Sequence, residues 1–217
     1  MTLRQNVAIL ISGRGSNMQS LVRACSAPDY PAKVVLVLSN KADATGLDYA
    51  REAGIATAVI SHKDYPDRAS FDAAMDAEIR RHGAELICLA GFMRLLDSRI
   101  IEAWRDRMIN IHPSLLPSFR GLDTHERALE AGVKLAGCSV HFVRPDVDTG
   151  PIIAQAAVPV LPDDTPDSLA ARVLEQEHMI YPMALRLVAE GRVRVEGDRA
   201  FVDASCTIRA LQNPDSL

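Results

Sequence analysis

The segment VAILISGRGSN, residues 7–17, decides the fold class because a continuous apolar run leads directly into a glycine-containing turn. The run at residues 7–11 is typical of a strand covered on both faces in a parallel sheet. A helix is predicted to follow over residues 18–27. The same order of apolar run and helical pattern recurs along the chain, which predicts βαβ units and an α/β fold.

Four further strand–helix pairs are predicted at residues 34–38 and 46–53, 56–60 and 70–82, 86–90 and 98–104, and 108–112 and 124–131. Two strands at 138–143 and 152–158, a long helix at 166–191 and a hairpin at 193–202 are predicted to follow. Thr165 is the predicted N-cap of the long helix, and Pro182 predicts a kink or local break near Tyr181. The last dozen residues are expected to form a poorly ordered tail.

Composition narrows the class of protein. The 217 residues are 48% hydrophobic and carry a net charge of −4. This length suits a single domain, and the charge argues against binding to nucleic acid or to an anionic membrane. The first apolar run is far too short for a membrane span. We therefore expect one domain over residues 1–217 of a cytoplasmic protein.

Cysteine and histidine spacing gives no sign of a metal site. The four cysteines and six histidines form no CxxC, HxH or HExxH pattern. Reduced and mostly buried thiols are expected, and no metal is predicted. The cysteines are Cys25, Cys88, Cys138 and Cys206.

The turn at residues 12–17 is a candidate phosphate-binding loop. Its glycines allow a tight turn, and the free N–H groups at the start of the following helix attract an anion. The pattern is neither GxGxxG nor a Walker A loop. An ordinary strand-to-helix turn with Ser16 or Asn17 as the N-cap explains the spacing equally well.

Asn110 and His112 are the first candidates for catalysis. At positions i and i+2 of an extended segment, their side chains leave the strand on the same side and can donate to one oxygen. Asp148 follows in a turn, and a carboxylate near an imidazole raises the pKa of the imidazole. Each of the three residues could instead be structural, and Asp146 competes with Asp148 for the carboxylate role.

Three other features suit ligand binding, although each has a structural alternative. Residues 91–96 follow a strand at the carboxyl edge of the sheet, where α/β folds bind ligands, but their apolar side chains could belong to the core. Arg68 could reach an anionic ligand or lie solvated at a helix start. Glu177 could point at ligand hydroxyls or form an exposed acid–histidine pair with His178.

Seven segments in order resemble the phosphoribosylglycinamide formyltransferase family. They are ISGRGSNMQSL (11–21), SNKADATGL (39–47), LAGFMRLL (89–96), NIHPSLLPSFRGLDTH (110–125), SVHFV (139–143), DVDTGPII (146–153) and ARVLEQEHMIYP (171–182). The resemblance covers nearly the whole chain. It implies a Rossmann-like, mostly parallel twisted sheet with helices on both faces. It also implies transfer of a formyl group from 10-formyltetrahydrofolate to the amine of glycinamide ribonucleotide in purine synthesis.

The resemblance also implies roles for particular residues. The expected substrate-binding residues, for phosphate and for ribose or glycinamide, are Gly15, Ser16, Asn17 and Glu177. The expected folate-binding residues are Arg68, Met93, Arg94, Leu95, Leu96, Asn110, Arg144, Pro145, Asp146, Val147 and Asp148. The expected catalytic residues are Asn110, His112 and Asp148. Residues 1–109 would form the phosphate-binding half, residues 110–205 the catalytic and folate-binding half, and residues 206–217 a tail.

The expected mechanism is direct attack of the amine on the formyl carbon. Asn110 and a protonated His112 would stabilise the oxyanion, each such donor contributing about 3–4 kcal/mol, and Asp148 would keep His112 charged. The expected partners are the two small-molecule substrates, without nucleic acid or membrane, and the expected state is a monomer or homodimer. Alternatives are a 10-formyltetrahydrofolate hydrolase, the formyltransferase acting on initiator tRNA, and a noncatalytic folate- or nucleotide-binding module. The length disfavours the first two, since related enzymes carry an additional domain.

Overall fold

A mostly parallel sheet of seven strands forms the centre of the computed structural model, which describes residues 4–203. The strands are β1 (Gln5–Ile11), β2 (Ala32–Ser39), β3 (Thr57–Val59), β4 (Leu86–Leu89), β5 (Met108–His112), β6 (Leu135–Phe142) and β7 (Ile152–Pro159). Their order is β3-β2-β1-β4-β5-β6-β7. All neighbouring strands from β3 to β5 pair in parallel. Strand β6 pairs antiparallel with both of its neighbours, β5 and β7. The predicted α/β class is confirmed.

Helices cover the sheet, and a small hairpin follows the last one. The helices are α1 (Ser16–Ser26), α2 (Gly46–Glu52), α3 (Arg68–Arg81), α4 (Ser98–Ala103), α5 (Thr124–Glu130) and α6 (Pro166–Ala189). The hairpin strands are β8 (Val193–Glu196) and β9 (Arg199–Val202). Every predicted strand and helix is present, and the largest difference in a boundary is the start of β6. A 3₁₀ turn at His62–Asp64 was not predicted.

Alternate residues of the central strand face two separate hydrophobic layers, as the side-chain period of a strand requires. Ile9 packs in one cluster with Met18 of α1 and with residues of α6. Leu10 packs in the other with Phe71 of α3 and with α4. The prediction of helices on both faces is therefore confirmed.

Helix α6 begins as predicted and continues where a break was predicted. Thr165 accepts the N–H of Ser168 through its side chain, and the Ser168 hydroxyl accepts the N–H of Thr165 in return. The helix runs through Pro182 to its end, so of the two predicted outcomes the local break is wrong and the kink stays a prediction. Tyr181 is fully buried and donates its hydroxyl to main-chain carbonyls of the sheet, while Tyr30 donates to the Pro182 carbonyl. These contacts stabilise the helix on both sides of the proline.

The thiols within the described residues are buried, as predicted. Cys25, Cys88 and Cys138 are buried free thiols. Cys206 and the predicted tail lie outside the described residues. Among the helices of residues 4–203, none combines the length and apolar character that crossing a membrane requires.

Candidate active site

The carboxyl ends of β1 and β4 bring two of the predicted ligand loops into direct contact. Ser12, directly after β1, donates its N–H to the Gly91 carbonyl at 3.1 Å. Its hydroxyl accepts the N–H of Met93 at 2.8 Å and donates to the Asn40 side chain at 2.6 Å. The loop at residues 12–17 and the loop at residues 91–97 are thus joined through one buried serine.

The candidate phosphate loop ends in a glycine with left-handed backbone. Gly15 has φ +68° and is the N-cap of α1, without a capping side chain. The alternative that Ser16 or Asn17 caps the helix is therefore wrong. A Cβ on Gly15 would lie 3.0 Å from the terminal methyl of Met18, so a larger residue would be both strained and crowded. The first turn of α1 keeps N–H groups available for an anion.

Glu177 lies beside this loop, on the buried face of α6. It is 7% exposed, and its carboxylate accepts a hydrogen bond of 2.6 Å from the Asn17 side-chain amide. Burial raises the pKa of Glu177, and the bond from Asn17 opposes that rise without cancelling it. The alternative of an exposed acid–histidine pair is wrong. Sequence positions 160 residues apart form one polar pair next to the phosphate loop.

Asn110, His112 and Asp148 converge where β5 pairs with β6. One Asp148 oxygen lies 3.3 Å from Nδ1 of His112, and the other lies 3.5 Å from Nε2 of His141. The Asn110 amide nitrogen lies 3.3 Å from the same His141 nitrogen. The antiparallel pairing of Asn110 with His141 explains the fourth member of the cluster. His141 is 2% exposed and lies on β6.

Asp148 has an environment that favours the charged carboxylate. Its backbone is left-handed, with φ +52°, and the N–H of Gly121 donates to its carboxylate at 3.0 Å. Burial raises the pKa of Asp148. Hydrogen bonds from His141 and Gly121, together with the charges of His112 and His141, lower the pKa by more than burial raises it, so the pKa lies below its usual value. The competing Asp146 is exposed.

Both ring nitrogens of His112 face oxygen atoms, since Nε2 lies 3.0 Å from the Phe119 carbonyl and Nδ1 faces Asp148. Burial nevertheless lowers the pKa of His112, outweighing the Phe119 hydrogen bond and the Asp148 charge that raise it. The expectation that Asp148 raises this pKa overall is therefore wrong, because desolvation of the ring is the larger effect. The Phe119 and Gly121 contacts use backbone atoms, which no residue pattern could have identified.

The predicted folate-binding residues form an exposed rim and a small cavity. Met93 and Leu95 are 64% and 57% exposed, whereas Leu96 packs against the core. Arg94 and Arg68 come together around a cavity of about 190 Å³ beside Phe71. Both interpretations of residues 91–96 thus hold in part, since the segment has core-facing and free apolar side chains.

Arg144 is placed differently from the neighbouring residues 145–147. Its side chain is 8% exposed, and its guanidinium pairs with Asp106 at 2.5 Å and donates to the Val143 carbonyl. Pro145, Asp146 and Val147 are exposed. The Arg144 side chain is therefore engaged within the protein, and residues 145–147 leave the more accessible surface.

Outside this site, residues 4–203 form a further groove but no cluster of metal-binding side chains. The described side chains include no group of three or more histidines, cysteines or carboxylates arranged to hold a metal ion. A groove of about 490 Å³ lies where β1, β4 and β5 begin, at the opposite edge of the sheet. None of the predicted site residues lines that groove.

Comparison with known proteins gives a consistent result. The family model described as formyl transferase matches residues 5–185. A phosphoribosylglycinamide formyltransferase from Escherichia coli (strain K12) is 44% identical over 91% of this chain and 93% of its own length. The trifunctional purine biosynthetic protein adenosine-3 from Bos taurus is 52% identical over 88% of this chain. The chain spans only 19% of that trifunctional protein.

Solved structures agree with the sequence relatives. Glycinamide ribonucleotide transformylase 1 from Symbiobacterium toebii is 48% identical with a TM-score of 0.90, over 92% of this chain and 94% of its own. A formyltetrahydrofolate deformylase from Pseudomonas syringae is 26% identical with a TM-score of 0.85, and the match covers 92% of this chain and 66% of its own. The mostly parallel sheet described above is therefore the arrangement found in these enzymes.

Proposed function

The chain belongs to the formyl transferase family, and we propose that it transfers the formyl group of 10-formyltetrahydrofolate to the amine of glycinamide ribonucleotide, a step of purine synthesis. The observation that carries this proposal is the cluster of Asn110, His112 and Asp148 at the end of β5. Relatives that match this chain over nearly their whole length are named for this reaction. The cytoplasmic location and the monomer or homodimer state stay predictions.

The mechanism follows from what the cluster can donate. The substrate amine attacks the formyl carbon and generates a tetrahedral oxyanion, and collapse breaks the bond between carbon and N10 of the folate. The amine loses one proton and N10 gains one, so the transfer is balanced. The Asn110 amide and His112 Nε2 are the donors to the oxyanion, and such donors contribute about 3–4 kcal/mol each in a site without water.

His112 must exchange one partner during this reaction. Its Nε2 faces the Phe119 carbonyl at 3.0 Å, so donation to substrate requires the formyl oxygen to replace that carbonyl. Asp148, facing Nδ1, stabilises the positive charge that develops on the ring when a proton reaches it. Since burial lowers the pKa of His112, the carboxylate is needed most when the ring becomes charged.

The amine substrate would bind between α1 and α6. The available N–H groups after Gly15 suit its phosphate, with Ser16 and Asn17 at the same helix start. Glu177 lies beside them and presents a carboxylate to ribose hydroxyls or to the glycinamide end. Two distinct polar features thus fit the two polar ends of one small phosphorylated molecule.

The folate would lie across the loop at residues 91–97. The exposed side chains of Met93 and Leu95 suit the flat pterin ring, and residues 145–148 would cover it from the other side. Arg68 and Arg94 line a cavity that suits the carboxylates of the glutamate tail. The residues present therefore fit a folate donor.

A hydrolase that uses the same folate is the second candidate, because a deformylase also has this fold. The phosphate loop favours the transferase, since a hydrolase has no phosphorylated acceptor to bind. The deformylase match is also more distant and leaves a third of that chain uncovered.

The deciding experiment incubates the protein with 10-formyltetrahydrofolate, with and without glycinamide ribonucleotide, and follows loss of the formyl group by absorbance. Loss that depends on the acceptor is expected. His112→Ala serves as the matched variant, for which turnover falls about 10²–10³-fold while folate affinity is retained. Loss without acceptor would favour the hydrolase, and no loss in either case would favour a binding module.

A further inference from the structure

The loop at residues 91–97 is held at both ends by buried polar side chains. Ser12 bonds the main chain of Gly91 and Met93 at one end. At the other end, a carboxylate oxygen of Asp72 accepts the N–H of Asp97 at 2.5 Å. The residues between these anchors include exposed side chains that would contact the folate. The position of the loop therefore depends on two groups that lie beneath it.

Asp72 is an unusual anchor because its carboxyl group lies in the interior. The residue is 2% exposed on α3, and among the described residues its second oxygen has no hydrogen-bond partner. Burial raises the pKa of Asp72, and the positive charges of Arg68 and Arg94 act against that rise. Arg68 lies one helical turn before Asp72, and Arg94 lies in the loop that Asp72 anchors. One carboxylate thus lies near both guanidinium groups.

We propose that Asp72 is a positioning residue for the folate donor, which fixes the 91–97 loop and keeps Arg94 beside Arg68 so that the pair receives the tail carboxylates of the folate. This inference rests on the proposed function, and it assigns to that site a residue that does not touch the donor. Asp72 would therefore determine how strongly the enzyme prefers donors with an anionic tail.

The physical reason is the balance of charge around the cavity. Two guanidinium groups that share a space of about 190 Å³ repel each other unless a negative charge lies nearby. Asp67 lines the cavity but is engaged in capping α3, where it accepts the N–H of Ser70. Asp72 lies behind the lining and acts on both guanidinium groups, and the ligand carboxylates would add their charge from the open side. Without Asp72, Arg94 loses one of the carboxylates near it and the loop loses its second anchor. The amine substrate site at Gly15 and Glu177 has no contact with Asp72 and stays unchanged.

The test compares Asp72→Ala and Asp72→Asn with Asp76→Asn as the matched control. Asp76 lies one turn further along α3 and bonds Trp104 and Arg80 instead of the loop. Titration calorimetry measures the affinity for tetrahydrofolate and for tetrahydropteroate, which lacks the glutamate. Steady-state assays give KM for each substrate of the transfer, and thermal melting checks that each variant is folded.

We expect Asp72→Ala to weaken tetrahydrofolate binding about tenfold and tetrahydropteroate binding less than about twofold, with kcat and KM for glycinamide ribonucleotide unchanged. Asp72→Asn should fall between wild type and Asp72→Ala, because its amide oxygen still accepts the Asp97 N–H. The control should resemble wild type. If Asp72→Ala does not fold, Asp72→Asn alone tests the inference. The expected result is then a smaller loss of affinity for tetrahydrofolate and no loss for tetrahydropteroate.

Three results would each overturn the inference. They are equal losses of affinity for tetrahydrofolate and tetrahydropteroate, a parallel rise in KM for the amine substrate, and wild-type affinity for tetrahydrofolate in a folded Asp72 variant. A wild-type protein that binds tetrahydrofolate but transfers no formyl group would overturn the proposed function and leave this inference standing. A wild-type protein that does not bind tetrahydrofolate would overturn both.

Discussion

Two carboxylates of the candidate site, Glu177 and Asp148, are set in opposite electrostatic environments. Glu177 lies on a long helix, has one neutral amide donor and has a raised pKa. Asp148 lies in a loop with left-handed backbone, faces two imidazoles and a main-chain N–H, and has a lowered pKa. Glu177 is the more deeply buried of the two, so burial and the charged partners together decide which carboxyl stays charged.

This difference separates binding from chemistry. A carboxyl group with a raised pKa suits recognition of hydroxyl or amine groups, because the helix fixes its position and the raised pKa disfavours its charged form. A carboxylate that stays ionised next to an imidazole suits stabilisation of a developing positive charge. Pairs of carboxyl groups whose pKa values move apart are a recognised sign of divided roles. We therefore propose that Glu177 serves binding and that Asp148 supports catalysis.

The largest expected effect comes from removing the charge at Asp148. Asp148→Asn keeps the size of the side chain and can still accept the Gly121 N–H, but it no longer stabilises a charged His112. We expect kcat to fall about 10³-fold, with KM for both substrates within about threefold of wild type. Steady-state kinetics at saturating concentrations of both substrates measures the change.

Asp146→Asn is the matched control for that variant, since Asp146 lies two residues earlier and is exposed. Its kcat should equal that of wild type, and any change should be confined to KM for the folate, which residues 145–148 would cover. A fall in kcat for Asp146→Asn as large as for Asp148→Asn would show that the loop as a whole matters, and the comparison between the two carboxylates would fail.

The same comparison shows how far the sequence could predict the site. Asn110 and His112 are two residues apart on one strand, so their common side follows from the period of the strand alone. The βαβ order likewise places the loop after Ile11 at the carboxyl edge of the sheet. By contrast, the pairing of Asn17 with Glu177 spans 160 residues and depends on how α6 packs on α1. No local pattern contains that information.

The electrostatic balance was predicted less well than the geometry. Asp148 was correctly expected to favour a charged His112, but desolvation of the ring has the larger effect on its pKa, and burial depends on the whole fold. The anchor at Asp72 had no signal either, because an aspartate in a helix usually lies in solvent. The continuation of α6 through Pro182 depends on tertiary contacts of Tyr181 and Tyr30, which override the local preference.

A smaller effect is expected at Glu177. Glu177→Gln keeps an oxygen that can accept the Asn17 amide hydrogen but removes the charge offered to the substrate. We expect KM for glycinamide ribonucleotide to rise about tenfold, or about 1.4 kcal/mol, with kcat and KM for the folate nearly unchanged. Kinetics with each substrate varied in turn measures the difference. A loss in kcat comparable to that of Asp148→Asn would place Glu177 in the chemistry and remove the contrast.

The smallest effect concerns stability against pH, where the two carboxyl groups should act with opposite sign. The folded pKa of Glu177 is raised above its ordinary 4.5, so its favourable contribution is present at low pH and is lost as pH rises through the folded pKa. The folded pKa of Asp148 is lowered below its ordinary 3.8, so its contribution is present above that value and is lost as pH falls through the folded pKa.

Denaturant unfolding at a series of pH values on both sides of 3.8 and 4.5 measures these contributions. The quantity compared is the free energy of unfolding of wild type minus that of Glu177→Gln or Asp148→Asn. Relative to Glu177→Gln, wild type should lose stability as pH rises above 4.5, and relative to Asp148→Asn it should lose stability as pH falls below 3.8. One unit of pKa shift corresponds to about 1.4 kcal/mol, so the size of each difference measures the size of the shift. His112 and His141 face Asp148 and affect the second difference, so His141→Gln combined with Asp148→Asn separates their share. Differences of the same sign for both carboxyl groups would mean that burial, and not the choice of partner, controls their charge.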